Sequence, residues 1–100
     1  MLTIQQVIEI LRQQLPYLSA EYGITRLGVF GSYAKGAVHE QSDIDLVAEF
    51  KAPIGLRFVE FTDYLEQLLH TPVDVLTPAG IGAIRNANVA REIQESIVYV

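Results

Sequence analysis

The stretch GSYAKGAVHEQSDIDL, residues 31 to 46, sets the pair Gly31-Ser32 at one end of a polar loop and the carboxylates Asp43 and Asp45 at the other. A third aspartate, Asp74, stands in the later run PVDVLT. Three carboxylates are what two Mg2+ ions need for phosphoryl or nucleotidyl transfer: hard oxygen ligands, with substrate phosphates and water filling the remaining positions. Glycine lets backbone N–H groups approach a phosphate closely, and a helix starting at Ser32 would aim its positive end at the same place. These residue types therefore suit a phosphate grip beside a metal grip.

An isolated D-x-D also matches a solvated strand edge behind an ordinary Ser-Asp turn. Two considerations count against that simpler explanation. Aspartate is a poor strand former, so placing it at i and i+2 beside Leu46 and Val47 gains no packing. Like charges on one strand face also repel at a separation of roughly 6–7 Å, a term that a divalent cation would reverse.

The elements that must position these groups alternate in period along the chain. Thr3 and Gln6 form a capping box, and Ile4, Val7, Ile8, Leu11 and Leu15 then fall on one helical face. Pro16 is expected to bend or end that helix, with Gly23 the firmer stop. Ile24 to Phe30 reads as a strand closed by Gly31, and Ser32 to Gly36 as one or two helical turns. Ile44 to Phe50 is the second strand, with Ile44, Leu46, Ala48 and Phe50 on one face and Asp43, Asp45, Val47 and Glu49 on the other. Antiparallel pairing of these two strands would bring Gly31 and Asp43 to one edge of the sheet.

After a turn around Pro53 and Gly55, Leu56 to His70 reads as a helix with Phe58, Phe61, Leu65 and Leu68 along its inner stripe. Val73 to Thr77 is a third strand, which would carry Asp74 to the same edge if it ran parallel to the second. Thr77 before Pro78 starts a short helix to about Ala87, and Asn88 is expected to cap a last helix bearing Val89, Ile93 and Ile97. The expected fold is α/β (α+β): a small mixed sheet of about three strands packed with helices, in the order α-β-α-β-α-β-α-α. A length of 100 residues fits one domain, residues 1–100.

Half the residues are apolar and 19% are charged, a globular composition. Apolar runs are broken well short of the roughly 18 residues a bilayer crossing needs, so a soluble cytoplasmic protein is expected, without membrane contact. With no cysteine the chain has neither thiolate ligands nor a thiolate nucleophile. The net charge of -5 disfavours a nucleic-acid partner, and setting aside the three aspartates leaves -5 + 3 = -2, a balance that suits a protein partner better.

GS, ten residues, D-x-D and a later strand aspartate together resemble the polymerase-β-type nucleotidyltransferase superfamily. More narrowly they resemble the minimal nucleotidyltransferase (MNT) antitoxins of HEPN/MNT toxin–antitoxin pairs. The likeness runs from the leading helix through LGVFGSYAKG, SDIDLVAEF and PVDVLTP to the closing helices. It implies a nucleotidyltransferase fold in which Gly31 and Ser32 hold the nucleotide phosphates and Asp43 and Asp45 bind two Mg2+ ions. Asp74 would complete the metal site and help activate the attacking hydroxyl. The family often has arginine where this chain has Lys35, which keeps the charge for a phosphate contact but not the bidentate fork.

The activity implied is transfer of AMP from ATP to a hydroxyl, a tyrosine's, of a HEPN ribonuclease toxin, which the modification silences. The alternative is a non-catalytic antitoxin that neutralises its HEPN partner by binding alone. Other residues read as bland: His39 as a solvated loop histidine, His70 as a comfortable helix C-terminus, and Glu49 as a surface or ion-pair residue. Tyr33 lines the nucleotide pocket or covers the short helix, and the sequence leaves both open.

Overall fold

The computed structural model describes residues 2–35 and 43–100, without the side chains of Ser32 and Lys35. Helix α1 (Ile4–Tyr22) begins at the expected box: the Gln6 N–H donates to Thr3 Oγ1 at 3.1 Å, and the Thr3 N–H donates to Gln6 Oε1 at 2.9 Å. It ends at Gly23, in the left-handed region at φ +76°. Pro16 does not end the helix. Its ring removes one backbone bond, but Leu11 and Leu18 on either side are fully buried, and that packing carries the chain through.

Strand β1 (Ile24–Phe30) leads into the single-turn helix α2 (Gly31–Lys35), and β2 (Ile44–Phe50) has the expected bounds. Helix α3 (Arg57–Leu69), strand β3 (Val73–Leu76) and helices α4 (Pro78–Gly82) and α5 (Ala87–Ser96) follow. Helix α4 stops earlier than expected. Asn86, rather than Asn88, caps α5, its side chain accepting from the N–H groups of Asn88 and Val89.

A fourth strand, β4 (Val98–Tyr99), was not expected. Among the described residues the sheet is therefore four-stranded, ordered β3-β2-β1-β4, with β1 antiparallel to β2 and β4 and β2 parallel to β3. Two residues are too short for a periodicity, and they become a strand only because β1 offers an unpaired edge. A register shift between Ile24 and Arg26 is a further departure: it lets Ile24, Leu27 and Val29 all reach one core, although strict alternation would separate the first from the others.

The sheet divides two apolar clusters. On one face Ile44, Leu46 and Ala48 pack with Val7, Leu11 and Leu18 of α1 and Phe61, Leu65 and Leu69 of α3. Each large side chain fully buried there stabilises the fold by about 1.5–3 kcal/mol. The α3 stripe is rotated slightly from expectation, with Leu69 fully buried and Phe58 and Leu68 half-buried at its borders. Tyr33 belongs to this core at 1% exposure, so it anchors α2 rather than lining a pocket. On the other face Phe30, Val47 and Ile81 gather Ile93 and Ile97, while Val89 stays exposed. No helix among the described residues is long and apolar enough to cross a membrane.

Candidate active site

The two strand pairings on which convergence depended both occur. Antiparallel pairing sets Phe30, the residue before Gly31, opposite Asp45, and parallel pairing sets Asp45 directly beside Asp74. The start of β3 is held by α3, since Glu66 Oε2 accepts from the Val73 N–H at 2.9 Å. The start of β2 is held by the Ile44 N–H, which donates to the Pro72 carbonyl at 3.0 Å. Glu66 was not apparent as a supporting residue in the sequence, because a glutamate on a helix surface carries no sign of the strand it will meet.

Gly31 turns the chain from β1 into α2 at φ +71°, a conformation that favours glycine. A Cβ at this position would overlap Asp45 Oδ2 and lie 3.1 Å from its Cγ. Backbone and carboxylate are therefore in direct contact, and two separate constraints, torsion and space, require glycine.

Asp45 is half-buried, whereas Asp43 and Asp74 are exposed. Burial pushes the Asp45 carboxyl above its ordinary range, and the negative charges of Asp74 and then Asp43 push it further. The site thus disfavours its own charge until something positive arrives. Among the described residues no three His, Cys, Asp or Glu side chains form a ready-made metal cage. The donor set, all carboxylate oxygen, fits a hard cation.

Ser32 and Lys35 contribute backbone to α2, and their side chains, like His39, lie outside the described residues. Glu49 faces the same side of the sheet as Asp45 but is engaged as an ion pair with Arg26, whose guanidinium lies 4.0 Å over the Tyr99 ring. It is not part of the acidic group. His70 occupies the left-handed position that ends α3.

A mixed sheet with helices on both faces, a glycine turn against an aspartate and a second aspartate in register define a nucleotidyltransferase fold. The chain belongs to the nucleotidyltransferase domain family, which matches residues 4–100. It is 34% identical to the protein adenylyltransferase MntA of Thermococcus cleftensis, over all of this chain and 98% of that one. A Methanocaldococcus jannaschii protein, named provisionally as a protein adenylyltransferase, is 39% identical over the full length of both.

Among solved structures, one described provisionally as a minimal nucleotidyltransferase superposes with a TM-score of 0.72 at 26% identity, covering 97% of this chain and 95% of that one. The fold also matches a toxin–antitoxin complex solved with AMP-PNP, with a TM-score of 0.63 at 20% identity over 98% of this chain and 72% of the other.

Proposed function

We propose that this chain is a Mg2+-dependent protein adenylyltransferase serving as an antitoxin, which transfers AMP from ATP to a tyrosine hydroxyl of a HEPN ribonuclease toxin in the cytoplasm. We take residues 1–100 to act as one domain. The observation that carries the reading is the register Phe30–Asp45–Asp74, with Gly31 against the Asp45 carboxylate. It gathers a phosphate-approachable backbone and two carboxylates at one end of the sheet. The relatives named as protein adenylyltransferases supply the acceptor class, and the toxin–antitoxin neighbour supports the partner.

In this reading the Gly31 and Ser32 backbone and the Lys35 charge hold the triphosphate, and Asp43, Asp45 and Asp74 would hold Mg2+. Bound there, the metal would supply charge neutralisation for the phosphates during in-line displacement. The acceptor hydroxyl oxygen bonds to the α-phosphorus of ATP while the bond from that phosphorus to the bridging oxygen breaks. Pyrophosphate leaves with the electron pair, and Asp74 takes up the hydroxyl proton. The chain needs no nucleophile of its own, in keeping with its lack of cysteine.

The test is transfer of labelled AMP from ATP to the co-expressed toxin. Asp43→Asn should keep its circular dichroism spectrum and lose transfer by about 100-fold or more, the scale of removing a preorganised electrostatic group. Transfer at the unmodified rate would overturn the reading. Undiminished neutralisation of the toxin without transfer would assign inhibition to binding alone.

A further inference from the structure

Away from the aspartates, on the outside of the α1/α3 layer, an open groove of about 560 Å3 runs between the two helices. Its walls include Tyr17, Tyr64, Leu56 and Val59. Tyr17 is 46% exposed, Val59 63% and Leu56 94%, so half of the exposed large hydrophobic residues among those described meet at this one place. A local cluster of that kind marks an interaction surface, whereas single exposed apolar residues need no explanation.

The two tyrosines of the wall are held by contacts of their own. Tyr17 stacks at 5.2 Å on Tyr64, and the Tyr64 hydroxyl donates to Gln14 Oε1 at 2.5 Å.

The rim is acidic, with Glu21, Glu60 and Asp63 in the lining. Arg57 bridges Glu21 Oε1 at 2.7 Å and Glu60 Oε2 at 2.9 Å, so three carboxylates against one guanidinium leave -3 + 1 = -2. We propose that this groove docks a basic amphipathic helix of a protein partner, seating apolar side chains between Tyr17 and Val59 and lysines or arginines against Asp63 and Glu60. A groove between two packed helices presents ridges that a third helix can fill, as in other helix-in-groove recognition. The charge selects the occupant. Nucleic acid would meet carboxylates with phosphates, and a second copy joined by a two-fold axis would set this acidic rim against itself. Because the groove is on the opposite side of the sheet from Asp45, an occupied groove leaves the acidic site free. The inference stands apart from the adenylyl-transfer reading.

The test uses the whole chain and a labelled synthetic helix of about eighteen residues with leucines on one face and lysines on the other, followed by fluorescence anisotropy. A second peptide carries glutamate in place of every lysine. The lysine peptide should bind at least about ten-fold more tightly than the glutamate peptide. Leu56→Ser/Val59→Ser should weaken it about ten-fold, and Asp63→Lys should weaken it several-fold, each with an unchanged circular dichroism spectrum, while Asp43→Asn should bind as the parent does. Equal affinity for the two peptides, or unchanged affinity in the double variant, would overturn the proposal. Dimerisation of the parent chain that Leu56→Ser/Val59→Ser abolishes in sedimentation would also overturn it, assigning the face to a second copy.

Discussion

Asp45 has the backbone of Gly31 on one side and Asp74 on the next strand, with Asp43 two residues away. Its charged form is therefore disfavoured in the folded chain by burial and by both neighbours, relative to an unfolded chain in which water surrounds it. The sign follows directly. With its folded-state pKa raised, the carboxyl holds a proton in the native state that the unfolded chain has already released. Stability falls as pH rises from the ordinary aspartate value through the raised one, and stays lowered above it. Asp45→Asn removes this term with little change of shape. In the absence of divalent cation at pH 7 we expect the variant to melt about 2–4 °C above the parent, a modest gain because a half-buried carboxylate is partly screened. The advantage should shrink towards zero below the ordinary aspartate pKa. A variant melting at or below the parent at pH 7 in EDTA would show that the carboxylate is not strained.

At the scale of elements, α5 and β4 close onto β1 at Gly28. A Cβ there would lie 2.6 Å from Ile97 Cγ2, 3.1 Å from the Tyr99 ring and 3.2 Å from Val47 Cγ1, so the missing side chain is what admits the Ile97 corner. Gly28→Ala should cost about 1–3 kcal/mol in urea denaturation by overpacking. Ile97→Ala should cost a similar amount through lost burial. The double variant should lose less than the sum by about 1 kcal/mol, because shortening Ile97 makes room for the new methyl. Strict additivity would mean that the strain is relieved elsewhere.

This corner also shows where sequence reading stops. The bounds of β1 and β2 and the start of α1 were legible because a capping box, a closing glycine and a period of two are local signals. The face that Asp45 shares with Val47 was legible for the same reason. The passage of α1 through Pro16, the register shift in β1 and the recruitment of β4 were not, since each depends on partners distant in the chain. The sequence could bring Asp74 to the site only on condition of a parallel pairing. It could not foresee that Glu66 would hold that strand in place, or that α1 and α3 would leave an acidic, apolar groove between them.

For the whole molecule, the acidic site exists only when the chain is folded. Asp45 and Asp74 are 29 residues apart and become neighbours through the β2–β3 pairing alone. Under the proposed function, an unfolded chain would offer only isolated carboxylates, with a far weaker hold on Mg2+ and nucleotide. Ligand that binds the assembled site must therefore stabilise the entire fold, by RT ln(1 + [L]/Kd), or about 2.7 kcal/mol at a hundred times Kd. For a chain of this length that corresponds to a rise in Tm of roughly 10 °C. We expect Mg2+ with a non-hydrolysable ATP analogue to produce such a rise in the parent and hydrogen exchange in β2 and β3 to slow together. Asp74→Asn should lose most of the shift although the residue is exposed and its replacement costs the metal-free fold little. A shift of equal size in Asp74→Asn would place the ligand elsewhere on the molecule. A shift in Tm with protection confined to β2 would mean that β3 is held by Glu66 and its neighbours alone, with no contribution from a ligand shared across the two strands.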